Sequence, residues 1–381
     1  PEEHARAWIE LGELCSEHLG DRDTALCALE VAAGLQPKSI DYRDQLAKLY
    51  QSDGRYDDAI VQHQAILDLE PSLLPSYNAL ARLYESANNP SAAKACLQAV
   101  STMCGQEPTH IPILPRKKQS ISGEVIDRLR HREDRFALGR LLALLTPAVA
   151  ALAPARRKRG TFSGRKLLPK THPLAKKIAA LAVQMDVHSP LVYQQMNVSI
   201  EVAAERSGDR LVPVVIVGTS LLDTEAAIKT TFQLCRALVT LRREYLVQVV
   251  QPSGKSLGHM LDALFELAAA EPGARVSKTA TALNKLLDQE SFDRLKLLVD
   301  KLAPDQHSGH EMVKRWLRAS QMTASRIALW VVGDLLSSLE AVDESGLSGT
   351  ELEEARQDLI RIFCSPLVRD DMRAKPAAPL T

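Results

Sequence analysis

The first hundred residues repeat with a period of 34, which restricts the fold more than any other feature of the chain. The repeated positions hold leucine, alanine, tyrosine and proline. Pairs spaced by 34 are Leu46 and Leu80, Ala47 and Ala81, Tyr50 and Tyr84, Ala59 and Ala93, and Pro37 and Pro71. The first unit carries one extra residue, because Leu11-Gly12 precedes Leu46-Ala47 by 35. Such a period predicts helix–turn–helix units that bury their apolar faces only by stacking on neighbours.

These positions resemble the tetratricopeptide repeat family over about residues 4–104. The match is carried by Trp8, Leu11, Gly12, Ala32 and Pro37 in the first unit, by Tyr50, Ala59 and Pro71 in the second, and by Tyr77, Leu80, Tyr84 and Ala93 in the third. The third unit lacks a proline near Gly105. The resemblance implies an α-solenoid whose concave groove binds a peptide or a partner helix. From the helix faces we expect the groove to be lined by Trp8, Glu10, Arg43, Lys48, Tyr77, Asn78 and Arg82.

The repeat region is acidic, although the whole chain has a formal net charge of zero. Residues 1–105 hold 16 Asp and Glu against 8 Lys and Arg. If the acids line the groove, they favour a basic partner segment. The alternative is that they lie on the solvated convex face. We also expect the array to continue before Pro1, which stands where a preceding unit would end.

Composition indicates a globular protein of two or three domains. Only 4% of the residues are aromatic, which argues against a base-stacking surface for single-stranded nucleic acid. The six cysteines form no C-x-x-C pair, and we interpret them as buried free thiols of a cytoplasmic protein. The chain contains no run of about 18 apolar residues, so the sequence predicts no membrane span.

We expect a repeat array over 1–105, a helical and basic connector over 106–172, an α-rich α+β domain over 173–365 and a flexible tail over 366–381.

A basic stretch lies in the connector. Residues 155–177 contain nine Lys and Arg and no acid. Three interpretations stay open: a solvated loop, a phosphate- or nucleic-acid-binding loop, or a segment that docks on the acidic array. The candidate anion-binding residues are Arg156, Arg157, Lys158, Arg159, Arg165 and Lys166.

The later part of the chain resembles zinc peptidases of the CAAX-prenyl-protease type, over about residues 125–340. A glycine-plus-leucine turn at 218–223 follows β-leaning runs at 197–203 and 211–218. Phe232-Gln233-x-x-Arg236 then stands where that family has H-E-x-x-H. Gln321-x-x-Ala324-Ser325 stands where it has E-x-x-A-D. The resemblance implies a zincin-like domain with a small sheet.

The residues at these positions lack the chemistry of a zinc site. A catalytic zinc needs three donors and an open position for water. Phe232 has no donor atom, Arg236 has no acceptor, and Gln321 is a poor ligand. Gln233 cannot serve as the general base, because its amide takes no proton at neutral pH. We therefore expect a metal-free pseudo-peptidase domain without a cofactor, with Phe232 filling the old metal cavity.

Three other motifs are weaker. His307 and His310 do not fit either zinc-helix order, and we interpret their segment as a polar loop before a helix. Gly254-Lys-Ser256 ends like a P-loop without its first glycine, so Ser253 or Ser256 is better explained as a helix cap. Asp334 stands among apolar residues of a core-facing helix.

The sequence thus predicts a mainly α protein, with an N-terminal α-solenoid followed by an α-rich α+β domain. The function that fits is a non-catalytic protein–protein interaction scaffold. The alternatives are a hydrolase or metallopeptidase with unorthodox ligands, and a nucleic-acid adaptor acting through residues 155–177.

Overall fold

A computed structural model provides the coordinates. It describes residues 2–107, 121–134, 136–152, 165–207, 210–222, 227–271, 274–302 and 308–369. These residues are mainly helical and include one four-stranded sheet. Contacts divide the chain into two compact units. The first unit comprises Pro1–Leu114, Gly333–Leu335 and Gly346–Thr381, and the second comprises Pro115–Val332 and Leu336–Ser345.

Three successive helix pairs open the first unit, as the period predicts. The pairs are α1 (Glu2–Leu14) with α2 (Arg22–Leu35), α3 (Ile40–Ser52) with α4 (Tyr56–Leu69), and α5 (Leu74–Ser86) with α6 (Pro90–Met103). The helices pack within each pair, and α2 packs on α3 as α4 packs on α5. Ala25, Ala59 and Ala93 are fully or almost fully buried, because a small side chain lets the paired helices approach closely.

The extra residue of the first unit has a local structural explanation. Cys15–Leu19 form a π-helical turn directly after α1. A π turn holds one residue more than an α turn, so it absorbs an insertion without displacing the next helix. Gly20 then ends the turn at φ 65°, in the left-handed region that suits glycine. The packing period is therefore kept although the sequence spacing is 35.

The C-terminal helices belong to the first unit, contrary to the expected domain boundary at 365. Helices α17 (Gly349–Phe363) and α18 (Pro366–Arg369) cluster with the repeats, whereas we had placed residues 349–365 in the α+β domain. The expected tail over 366–381 begins with a helix, and its residues 370–381 lie outside the described residues.

From residue 121 the chain forms a further set of helices around a small sheet. The helices are α7 (Gly123–Leu129), α8 (Phe136–Leu152), α9 (Pro173–Gln184), α10 (Ile228–Val239), α11 (Leu246–Val250), α12 (Gly254–Ala269), α13 (Lys278–Asn284), α14 (Gln289–Leu302), α15 (Gly309–Val332) and α16 (Leu335–Asp343). The strands are β1 (Lys166–Leu167), β2 (Leu191–Gln195), β3 (Ile200–Ser207) and β4 (Arg210–Gly218). The chain breaks between α15 and α16 at Gly333, whose φ is 70°. None of the described helices is both long and apolar enough to cross a bilayer.

The sheet has the order β1-β2-β4-β3 and is mixed. Strands β2 and β4 run parallel, while β1 and β3 pair antiparallel with their neighbours. The two β-leaning runs are therefore confirmed as the hairpin β3–β4, and the short strands β1 and β2 were missed. One face of the sheet buries Ala203, Val214 and Ile216.

Gly218 ends the sheet and allows the chain to turn toward α10. Its amide donates to the Ser199 carbonyl at 2.8 Å. A Cβ added at Gly218 would lie 2.0 Å from the Val198 carbonyl oxygen, so no larger residue fits. A short 3-10 turn, Thr219–Leu221, follows directly. The glycine that suggested a turn is thus required by the close approach of β3 and β4.

Candidate functional site

The first helices of the three pairs present a polar row to solvent. Glu13, Lys48 and Arg82 occupy equivalent repeat positions on α1, α3 and α5, and all three are exposed. Gln45 Nε2 donates to Glu13 Oε1 at 3.3 Å, which ties α3 to α1. Lys48 Nζ lies 2.7 Å from Asp44 Oδ2. The row therefore carries cations in its second and third units rather than a continuous line of acids.

Much of the acidic excess lies at helix ends. Asp21 caps α2 by accepting from Thr24 N at 3.2 Å, and hydrogen bonds from Thr24 lower the pKa of this carboxyl. Asp57 and Asp58 stand in the first turn of α4. Negative charge at a helix N-terminus is favourable, because it faces the positive end of the helix dipole. These acids thus have a local role that needs no basic partner.

The residues expected to line the groove divide into two groups. Those that are exposed are Trp8, Glu10, Lys48, Asn78 and Arg82. Arg43 instead donates Nε and Nη2 to the Pro37 carbonyl at 2.9 and 2.8 Å. Tyr77 is fully buried, and its hydroxyl donates to the Pro71 carbonyl at 2.9 Å. Arg43 and Tyr77 occupy the same repeat position, and both fix the turn before their own helix.

The array also holds a segment from outside the repeats. Tyr84 Oη and Gln64 Nε2 both donate to the backbone carbonyl of Cys364, at 3.1 and 3.2 Å. The thiol of Cys364 lies 3.7 Å from the Ala95 carbonyl oxygen. Both α17 and α18 contact α6. A helix end from the C-terminal part of the chain is thus bound by side chains of α4 and α5 and by the backbone of α6.

An ion pair and apolar burial accompany these hydrogen bonds. Arg361 pairs with Asp68 at the end of α4, and its Nη2 lies 3.2 Å from Asp358 Oδ1 on its own helix. The Arg361 side chain is only 14% exposed, so the pair is partly shielded from water. Leu359 and Phe363 of the same helix are fully or almost fully buried. The docked part of the segment is therefore short and amphipathic.

The preceding repeat junction has the same positions but different chemistry. Tyr50 and Glu30 stand 34 residues before Tyr84 and Gln64. Tyr50 Oη donates to Glu30 Oε1 at 2.5 Å, so this pair is satisfied within the array. Burial and the neighbouring Glu30 raise the pKa of Tyr50. In the later junction a glutamine amide replaces the carboxylate, and both side chains donate to the Cys364 carbonyl.

A histidine is buried beside the polar row. His63 of α4 is 5% exposed, and its Nδ1 has no hydrogen-bond partner in the structure. Burial lowers the pKa of His63, while the nearby Asp44 raises it and Arg82 and Lys48 lower it further. The folded array therefore favours the neutral imidazole.

The residues that the resemblance aligns with a zinc site lie on α10 and α15, which pack against each other. Phe232 is fully buried, Gln233 is half-buried and Gln321 is exposed. Ser325 is buried, and its hydroxyl donates to the Gln321 carbonyl at 3.0 Å within α15. Arg236 is half-buried, and no hydrogen bond or ion pair joins it to any described residue. Burial lowers the pKa of Arg236.

A zinc ion does not fit these residues, because Phe232 has no donor atom and Arg236 brings a positive charge. Across the described ranges, no group of three or more His, Cys, Asp and Glu side chains is arranged to hold a metal ion. No reaction step through zinc is therefore derived for this domain.

A buried polar cluster that the sequence did not reveal joins α15 to the end of α7 and the start of α11. Asp134 Oδ2 accepts from Tyr245 Oη and, at 2.8 Å, from Thr323 Oγ1, and Arg130 Nη1 lies 3.5 Å away. Burial raises the pKa of Asp134, against the effect of the hydrogen bonds and of Arg130. Arg326 donates to the Arg130 carbonyl at 3.2 Å and so completes the end of α7. The side chain of Asp134 is 0% exposed, which makes the cluster a clamp between α7, α11 and α15 rather than a substrate site. No regular spacing connects its members, so no sequence signal identifies it.

The basic candidates are only partly described. Arg156, Arg157, Lys158 and Arg159 lie outside the described residues. Arg165 donates to Gln195 Oε1, and its Nη2 lies 3.8 Å from Glu201 Oε2. Lys166 begins β1. Arg165 thus has partners in the sheet, which leaves less of its charge for an anion.

The weaker motifs have structural roles where they are described. Ser253 Oγ accepts from Ser256 N at 3.2 Å, which confirms Ser253 as the cap of α12. His307 lies outside the described residues, and His310 is exposed near the start of α15. Asp334 is 6% exposed, between α15 and α16.

Neither a protein-family model nor a curated protein matches this chain.

Proposed function

We propose that the chain is a non-catalytic protein–protein interaction scaffold whose repeat array binds helical segments. The observation that carries this proposal is the helix end at Cys364, which two side chains of the array hold by its backbone carbonyl. Repeat arrays present extended surfaces for binding, and a helix laid on such a surface is one of the recurring modes of peptide recognition. A pseudo-peptidase origin of the later domain is part of the proposal, and Phe232 and Arg236, which offer no metal ligand, support its non-catalytic part.

The polar row is the surface that we propose for an external partner. Its members Glu13, Lys48 and Arg82 are exposed and stand at equivalent positions of the three units, so an extended or helical segment can contact several units at once. Because Lys48 and Arg82 are cations, the row does not select a basic partner over an acidic one.

Partner capture by the full chain tests the proposal. We expect a bound protein to be retained by the wild type and lost from the double variant Lys48→Glu/Arg82→Glu, since charge reversal disfavours the original partner. Lys94→Glu is the matched control, because Lys94 is exposed on α6, a second helix of a pair. Equal capture by all three proteins would remove the row as an interface. Stoichiometric zinc in the purified protein together with peptide hydrolysis would contradict the non-catalytic part.

A further inference from the structure

We infer that the junction of α4 and α5 is a docking site for the end of a short helix, an inference that rests on the proposed function. Residues 358–368 occupy this site in cis. They compete there with a partner segment of the same chemistry: a helix with a free carbonyl at its end, an arginine three residues before that carbonyl and an apolar residue directly before it.

The site is built to receive a carbonyl oxygen. The last carbonyls of a helix have no donor within the helix and need an outside partner. Pro366 has no amide hydrogen, and Val368 N donates to the Ser365 carbonyl instead of to Cys364. Tyr84 and Gln64 supply the two donors that the Cys364 carbonyl lacks. The helix end and the junction are thus complementary in hydrogen bonding.

The internal repeat shows that this complementarity is specific to one junction. At the equivalent positions Tyr50 donates to the carboxylate of Glu30, so the Tyr50 hydroxyl needs no acceptor from outside the array. The exchange of Glu30 for Gln64 between repeats turns a satisfied pair into a pair that binds an outside carbonyl. At this position the two junctions differ only in that the Glu30 carboxylate is replaced by the Gln64 amide.

The occupant has the size of a peptide ligand. Arg361 and Cys364, at the last turn of α17, both form polar bonds with the array. Gly346 lies before α17 and Gly349 is its first residue, with φ of 82° and 56°, backbone conformations that glycine adopts without strain. The earlier part of α17 carries exposed acids, Glu351, Glu353 and Glu354. A short motif attached through such a connection can be exchanged for an external motif that offers the same groups.

Thiol alkylation mapped by mass spectrometry reports whether the segment is docked. Cys364 is fully buried in the docked state. We expect Gln64→Glu to be alkylated at Cys364 at least about tenfold faster than the wild type, because the new carboxylate takes the Tyr84 hydroxyl and repels the carbonyl. Glu30→Gln is the matched control and should leave the rate at Cys364 unchanged. Unchanged protection of Cys15 and Cys235 shows that both units remain folded.

Binding in trans is measured with a fluorescent peptide of residues 349–369. We expect it to bind the full-length Phe363→Asp chain, to bind the wild type at least about tenfold more weakly, and to lose binding when Gln64→Glu is added to Phe363→Asp. Arg361→Glu replaces Phe363→Asp if the latter exposes Cys15 or Cys235.

The inference is overturned if Gln64→Glu leaves Cys364 protected, if the peptide fails to bind the chain with a weakened cis segment, or if it binds regardless of Gln64→Glu. Capture of a partner through Lys48 and Arg82 does not depend on these three results, so failure of the docking site and failure of the polar row are distinguishable.

Discussion

Replacement of Gly258 by alanine sets two opposing effects against each other at the crossing of α12 and α15. A Cβ at this position would lie 2.6 Å from His310 Cα and 2.9 Å from His310 N. Ordinary contact begins near 3.4 Å, so the start of α15 has to move by several tenths of an ångström. The same movement strains the bond from Gly309 N to Asp262 Oδ1, now 2.6 Å.

The relative sizes of these free-energy terms decide whether Gly258→Ala stabilises or destabilises the second unit. Alanine in place of glycine gains about 1 kcal/mol of helix propensity. Overpacking costs about 1–3 kcal/mol, with the upper end expected where backbone rather than a side chain is the obstacle. The weakened hydrogen bond adds about 1 kcal/mol. We therefore expect Gly258→Ala to lower the free energy of unfolding of the second unit by about 2–3 kcal/mol.

Gly139→Ala on α8 is the matched control. Its Cβ would lie 3.6 Å from Glu244 Cβ and 3.9 Å from Trp316 Nε1, which is ordinary contact. It should therefore keep the propensity gain and stabilise the unit by about 0.5–1 kcal/mol. The alkylation rate of Cys235, which is fully buried in this unit, together with chemical denaturation followed by circular dichroism, gives both values. A Gly258→Ala protein as stable as Gly139→Ala would refute the close helix crossing.

Substitutions at three further residues test polar groups that are buried or half-buried. Because burial lowers the pKa of His63 below 6.5, the unfolded chain binds the proton more readily, and the first unit should lose stability as the pH falls through about 6.5. His63→Phe should remove this loss, and thermal melts from pH 8 to 5 would show it; an unchanged pH profile would argue against a neutral buried imidazole. Asp134→Ala should cost about 3 kcal/mol in chemical denaturation, since it leaves Arg130 and Tyr245 without their shared acceptor, and Asp134→Asn should cost less. Arg236→Met should stabilise the second unit by about 1 kcal/mol in the same assay, because a desolvated cation is removed; a loss of stability would reveal a partner of Arg236.

The helix pairs were predictable because the repeat period records packing directly. A small residue every 34 positions is needed wherever two helices approach, and a proline is tolerated only at the turn. The spacing of 35 instead of 34 showed one extra residue in the first unit, but it did not predict the π turn at Cys15–Leu19 that accommodates it. Burial faces could also be assigned from the pattern. The helix faces alone assign Arg43 and Tyr77 to the groove, whereas both side chains bond to the turn before their own helix.

The polar clamp and the return of the C-terminal helix were not predictable from local pattern. The amphipathic pattern of α17 shows that one face is buried, but it does not show which surface covers that face. The Tyr84 and Cys364 partners are separated by 280 residues, and those of Asp134 and Thr323 by 189. Contacts at such separations depend on the tertiary arrangement, which hydrophobic periodicity leaves open.

Departures from the internal period nevertheless carry information about such contacts. Where two repeat junctions have the same role, their residues should have the same hydrogen-bonding character. Glu30 and Gln64 differ in that character, although both stand next to a tyrosine of the following helix. The Glu30 carboxylate accepts the hydrogen bond of Tyr50 within the array. The Gln64 amide instead donates, so it requires an acceptor from elsewhere, and the Cys364 carbonyl provides it. In a repeat protein, a position that changes from acceptor to donor while its neighbours are kept is therefore a place to look for a ligand.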